Sequence, residues 1–201
     1  MSRVIVVGLT GNIATGKSTV MAMLGQRGAF TIDADELVHG LLDADTAVQS
    51  QIAARFGPEI WSREGKIDRG KLGAIAFQDP AAMRDLEAIL HPCVGARVEE
   101  LIRNSTSPVV VVEAIKLLES DLRRLCRAIW VTTCSEEQQV SRLVQGRGLE
   151  LDGALARIRS QPPQADKIAQ ADRVIDTSGS LGQTEEQVEQ AWRGLLELEA
   201  A

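Results

Sequence analysis

The sequence predicts a three-layer α/β fold around a parallel sheet, and two observations carry that expectation. Three continuous apolar runs rich in β-branched residues, at 4–7, 109–112 and 129–131, have the length and composition of strands buried on both faces. Helical patterns lie between and after them, and strands that alternate with helices build a parallel sheet covered on both sides.

Taken in chain order, the strand at 4–7 leads into a glycine-rich loop and then a helix over 17–26. A weaker strand pattern covers 30–32. Residues from about 37 to about 105 carry no run suited to a buried strand. They read as a mostly helical insertion, broken by Gly57-Pro58 and Gly65, with a long helix over 81–104. The core is then 1–36 together with 106–201. After the strand at 129–131, Ser135 ahead of Glu136 and Glu137 predicts an N-cap with an acidic first turn. A helix over 152–160 is interrupted by Gln161-Pro162-Pro163. A weaker strand at 173–175 precedes a final helix, for which Thr184 before Glu185 and Glu186 predicts the cap.

Composition narrows the function classes. The chain has 201 residues, 44% hydrophobic and 25% charged, which is ordinary globular usage and enough to bury a core without a disulfide or metal staple. Three cysteines, Cys93, Cys126 and Cys134, form no C-x-x-C pair, so neither a disulfide framework nor a zinc site is expected. The N-terminal apolar run is strand-length, too short for a signal segment or a membrane span, which predicts a cytoplasmic protein with no membrane partner. A net charge of −6 argues against a nucleic-acid polymer as ligand.

The chemistry-bearing signal is Gly11-Asn12-Ile13-Ala14-Thr15-Gly16-Lys17-Ser18, which matches G-x-x-x-x-G-K-[ST] at every fixed position, between a strand and a helix. In that context the loop is a nucleoside-triphosphate phosphate site. Its glycines let successive N–H groups converge on the β-phosphate, and the helix N-terminus adds its dipole. Lys17 is expected to reach the β- and γ-phosphates of ATP, and the Ser18 hydroxyl to hold Mg²⁺. The N-K-x-D of a guanine site is absent, so a small-molecule kinase fits the length and motifs best.

Other polar groups fall where such chemistry needs them. Asp33-Ala34-Asp35 follows the second strand, where a carboxylate can deprotonate an acceptor hydroxyl; capping the next helix is the competing role, and the main rival reading for Asp35. Glu113 ends the strand at 109–112, where it can reach the metal shell or serve as a solvated strand end. Arg142 and Arg147 could close over the phosphates as a lid or line a solvated helix face.

Further motifs resemble the dephospho-CoA kinase family nearly end to end. They comprise Gly8-Leu9-Thr10-Gly11 running into Gly16-Lys17-Ser18-Thr19, then Asp33-Ala34-Asp35, Phe56-Gly57, and Gly65-Lys66-Ile67-Asp68-Arg69 with Leu72. Leu86-Glu87-Ala88-Ile89-Leu90-His91-Pro92, Arg157-Ile158 with Gln161, and Ala171-Asp172 followed by Val174-Ile175-Asp176 complete the match. The resemblance implies a P-loop kinase fold and a helical acyl-substrate domain formed by the insertion, with a lid near 142–165. It implies transfer of the ATP γ-phosphoryl to the ribose 3′-hydroxyl of dephospho-CoA; separately, a monomer or weak homo-oligomer is expected. In that reading Asp33 activates the acceptor, Lys17 and Arg147 stabilise the phosphates, Ser18 holds Mg²⁺, and Arg69 and His91 line the substrate side. His91-Pro92 is equally readable as a helix-breaking corner. The sequence departs from the family at Asn12, where a second glycine is usual, and at Lys116, where the family is apolar. It departs again at Thr177, where Asn is common, and in an Arg142–Arg147 spacing one residue longer than usual.

Overall fold

The computed structural model describes residues 4–200, with the side chains of 4–197. The elements run β1 (Ile5–Thr10), α1 (Lys17–Gln26), β2 (Phe30–Asp33), α2 (Ala34–Ala44), α3 (Thr46–Phe56), α4 (Arg69–Gln78) and α5 (Pro80–Asn104). They continue with β3 (Val109–Glu113), β4 (Ala128–Thr133), α6 (Glu136–Arg147), α7 (Leu151–Arg159), α8 (Gln164–Ile168), β5 (Arg173–Asp176) and α9 (Leu181–Ala200). Two compact units result. Asp33–Asn104 forms one, and the described residues before and after it form the other.

The first unit is built on a five-stranded sheet of order β2-β3-β1-β4-β5. The strand β1 pairs in parallel with β3 on one side (Val7 opposite Val111) and with β4 on the other (Leu9 opposite Trp130). The three strong apolar runs thus occupy the middle of the sheet, where every residue of β1 and β3 is buried. The two weak patterns are β2 and β5, which lie at the edges and bury one residue each, Ile32 and Ile175. An edge strand covered on one face needs only that much apolar character. Helices α1 and α9 cover one side, with Val20, Leu24, Val188 and Leu195 packed on Val7, Val111 and Trp130.

Cap chemistry sets the helix ends. Ser135 caps α6 as expected, its side chain accepting from the Gln138 N–H. The cap predicted at Thr184 lies elsewhere: α9 begins at Leu181, and Thr184 is buried within its first turns. Ser180 and Gln183 form the reciprocal pair instead. The Ser180 N–H donates to Gln183 Oε1 at 2.8 Å and the Gln183 N–H donates to Ser180 Oγ at 3.3 Å. This S-x-x-Q box satisfies two end groups, whereas a Thr184 cap would have satisfied one.

In the second unit, three aspartates start three helices. Asp33, Asp45 and Asp68 each accept two backbone N–H groups from the first turn of α2, α3 and α4. Val48, Ile52, Ile60, Leu72 and Leu90 form its core. Helix α5 runs unbroken through Pro92, so His91-Pro92 makes no corner. The carbonyl that Pro92 leaves without an intrahelical donor belongs to Ala88, an exposed residue where water can satisfy it. Among the described residues no helix is long and apolar enough to cross a membrane.

Gly8, in β1, has no room for a side chain. A Cβ there would stand 2.5 Å from Leu117 Cδ2 and 2.8 Å from Cys126 Sγ. Gly8→Ala is therefore expected to destabilise the protein by about 1–3 kcal/mol, the range for overpacking a core. Urea unfolding of the variant checks this, and an unchanged midpoint would contradict the packing.

Candidate active site

The loop between β1 and α1 leaves the central strand of the sheet at its carboxyl end, with β3 and β4 on either side. This is where the chain connections diverge and ligands bind in open α/β folds. Gly16 ends the loop at φ 87° and forms the N-cap of α1. A Cβ at Gly16 would press on Thr177 at 3.0 Å, so that left-handed, crowded position requires glycine. Threonines brace the loop from below. Thr15 Oγ1 donates to the Asn12 carbonyl at 2.8 Å and lies 2.7 Å from Thr132 Oγ1, while Thr177 Oγ1 donates to the Thr15 carbonyl at 2.9 Å.

Lys17 and Ser18 open α1, which places both side chains where the helix leaves four backbone N–H groups without intrahelical acceptors. The Lys17 ammonium lies 3.6 Å from Glu113 Oε1, and both side chains are about nine-tenths buried. Glu113 thus ends β3 as a partner of Lys17, not as a solvated strand end. Ser18 and Thr19 are exposed and line a cleft of about 180 Å³ with Gly16, Lys17, Arg142 and Arg147. A second cleft of about 290 Å³ shares Gly16, Thr19 and Arg142 with the first and extends to Thr177, Gly179 and Leu181. Neither alone would hold a nucleoside triphosphate; together they reach the 300–1,000 Å³ scale typical of small-molecule sites, roughly.

The two arginines differ. Arg142 Nη1 donates to the Ala14 carbonyl at 3.0 Å and to Thr177 Oγ1 at 2.9 Å, and Nη2 donates to the Thr177 carbonyl at 2.6 Å. It braces the loop against the end of β5. Arg147, in the last turn of α6, is exposed at the cleft and carries no hydrogen bond or ion pair among the described residues. Cys134 lies against the same brace, half-buried, with Arg142 Nη1 3.5 Å from its sulfur; burial raises its thiol pKa.

Three of the sequence-derived site residues belong to the second unit. Asp33 caps α2 through Oδ1 alone, accepting from the Asp35 and Glu36 N–H groups at 2.9 and 3.1 Å. The capping role considered for Asp35 therefore falls on Asp33. Arg69 begins α4 and pairs with Asp43 at 3.5 Å, an exposed contact. His91 is exposed on α5.

The departures at Asn12, Thr177 and Lys116 have local explanations. Asn12, buried, donates through Nδ2 to the Pro162 carbonyl at 3.0 Å, a bond that glycine could not make. Thr177 supplies the hydroxyl that ties β5 to the loop, and Lys116 is exposed, so its charge meets no apolar core. Sequence reasoning missed Gln139 and Lys167. Gln139 Nε2 donates to the Ile13 carbonyl at 2.7 Å, and a glutamine within a helix gives no signal of that. Lys167, almost fully buried, donates to the Ile115 carbonyl at 2.7 Å and pairs with Glu119 at 3.5 Å, anchoring the segment after Glu113. Among the described residues no group of three or more His, Cys, Asp or Glu could hold a metal ion by itself.

Comparison with known proteins places this geometry. The family model for dephospho-CoA kinase matches residues 5–183. A dephospho-CoA kinase from Symbiobacterium thermophilum is 44% identical over 94% of this chain and 80% of its own length. One from Synechocystis is 40% identical over 92% and 94%. Among solved structures, a Thermus thermophilus protein superposes with a TM-score of 0.83 at 31% identity, covering 97% of both chains. A dephospho-CoA kinase from Campylobacter jejuni gives 0.60 at 26% identity, over 94% of this chain and 96% of its own. A Bacteroides thetaiotaomicron shikimate kinase, 18% identical with a TM-score of 0.56 over 96% of this chain and 98% of its own, shares the fold. With a phosphate loop held in this way and a match over most of its length, the chain belongs to the dephospho-CoA kinase family.

Proposed function

We propose that this chain transfers the γ-phosphoryl group of ATP to the ribose 3′-hydroxyl of dephospho-CoA, giving coenzyme A and ADP. The observation that carries the reading is the Lys17–Glu113 pair at the mouth of a complete phosphate loop, in a chain that matches the family from residue 5 to 183. Phosphoryl transfer asks a protein mainly for positioning and charge stabilisation, and the loop is equipped for both.

Lys17, restrained by Glu113, supplies a cation to the β- and γ-phosphates, and the N-terminus of α1 adds its N–H groups. Arg147 is the arginine for the transferring group, because the Arg142 guanidinium is committed to Ala14 and Thr177. Arg142 stays a nucleotide-site residue by shaping both clefts. The second cleft suits the base: Leu181, 70% exposed there, offers an apolar surface that a flat ring would cover. Mg²⁺ fits at Ser18, since this hydroxyl-bearing residue lines the phosphate cleft and the ion prefers few protein ligands with water and phosphate oxygens. When bound, the ion would neutralise charge on the β- and γ-oxygens. Asp33 takes the acceptor hydroxyl proton through the carboxylate oxygen that the cap does not use. Arg69 and His91 are assigned to the acceptor by the motif match, and the exposed Arg69–Asp43 pair is weak enough to exchange for a ligand. Three free thiols fit a reducing cytoplasmic setting.

Coupled ADP release, measured with ATP and Mg²⁺ in the presence and absence of dephospho-CoA, tests the reading. Turnover is expected to depend on dephospho-CoA and to collapse in Asp33→Asn. ATP binding without acceptor-stimulated turnover would remove the acceptor assignment. Lys17→Ala is expected to lower kcat by about 10²–10³, the scale for removing one central electrostatic contact. Activity within about tenfold of wild type would refute that role. Chelation of divalent cations is expected to abolish turnover and Mg²⁺ to restore it; persistence in excess chelator would exclude the Ser18 assignment.

A further inference from the structure

The phosphate loop holds a non-glycine residue in left-handed backbone: Ala14, at φ 60°. An L-residue resists that conformation and keeps it only where its surroundings over-determine it. Here the two peptide groups just before Ala14 are each pinned by a glutamine. The Ile13 N–H donates to Gln161 Oε1 at 2.7 Å, and Gln139 Nε2 donates to the Ile13 carbonyl at 2.7 Å. The partners fix both carboxamide orientations, because a backbone N–H needs an acceptor and a carbonyl needs a donor. The bond from Asn12 Nδ2 to the Pro162 carbonyl adds a third tie to the same segment. The Ile13 and Ala14 side chains pack on the cluster of Leu143, Ala154 and Ile158 from α6 and α7.

We propose that Gln139 and Gln161 are positioning residues that hold the apex of the phosphate loop in its anion-cradling curl before nucleotide arrives. The inference rests on the nucleotide site proposed above and adds to it the means by which the loop is preorganised. A side chain from α6 and one from the turn after α7 meet at one residue, Ile13, one at its carbonyl and the other at its N–H. Both are neutral, which suits a loop built for a polyphosphate. A glutamate at 161 would accept the same N–H yet place a negative charge where negative phosphates must bind. The Gln161-Pro162-Pro163 turn, which from sequence only interrupts two helices, thereby becomes part of the phosphate site.

The test measures ATP and AMP affinity without acceptor for wild type, Gln161→Glu and Gln161→Leu, together with thermal unfolding. Gln161→Glu keeps the hydrogen bond and so the fold. At about pH 8 it is expected to bind ATP about tenfold more weakly than wild type, recovering most of the loss only near about pH 4, where the carboxyl is protonated. AMP, which lacks the β- and γ-phosphates, should change by less than about twofold. Gln161→Leu is expected to weaken ATP by about three- to tenfold at both pH values, with no recovery, because it removes one neutral hydrogen bond. ATP affinities within about twofold of wild type for both variants at both pH values would overturn the proposal, as would equal losses for ATP and AMP. Wild type that failed to bind ATP would overturn the nucleotide reading itself, and this inference with it.

Discussion

Much of the first unit exists to hold one turn of backbone in an unfavourable shape. Between β1 and α1 the chain must curl so that successive N–H groups face a common point, which takes left-handed backbone at Ala14 and Gly16. That curl is braced on three sides. Thr132 of β4 supports it from the sheet through Thr15, Thr177 after β5 supports it together with Arg142 of α6, and Gln139 of α6 with Gln161 and Pro162 of the turn after α7 hold Ile13 and Asn12. The strands β1 and β4 serve as its foundation, being buried and rigid enough for threonine hydroxyls at their ends to stay in register.

The same bracing explains how charge is arranged. Lys17 is directed by Glu113 from the neighbouring strand, and Arg142 is consumed by carbonyls and a hydroxyl, which leaves Arg147 as the exposed cation at the cleft. The carboxylate of Glu113 and the Asn12 carbonyl hold the Lys17 ammonium in place at the start of α1, beside the loop that faces the phosphates. Lys167 does comparable work further along, donating into the segment that follows Glu113. In the second unit the polar groups act differently. Asp33, Asp45 and Asp68 are helix caps first, and any ligand role for Asp33 must coexist with two N–H bonds to the same carboxylate.

The strong strands and α1 could be read from sequence because β-branched runs and a strand–loop–helix signature are local patterns. The structure places α1 at Lys17–Gln26, the range expected from sequence. The motif G-x-x-x-x-G-K-[ST] likewise depends on residues adjacent in the chain, so Gly11, Gly16, Lys17 and Ser18 were legible together with their chemistry. Helix ends were partly legible: Ser135 was found, whereas α9 starts earlier than Thr184 because Ser180 and Gln183 satisfy each other.

What the chain alone determined is its fold class, its family and the identity of the phosphate loop, since each is written in contiguous residues or in motifs whose order suffices. Which side chain meets which was decided by tertiary structure. The Lys17–Glu113 pair joins positions far apart in sequence, the commitment of Arg142 depends on Thr177, and the roles of Gln139, Gln161 and Lys167 depend on carbonyls and an N–H that no side-chain pattern reveals. The physical reason is that backbone hydrogen-bonding groups are the same in every residue. Only folding determines which of them are left for a side chain to satisfy.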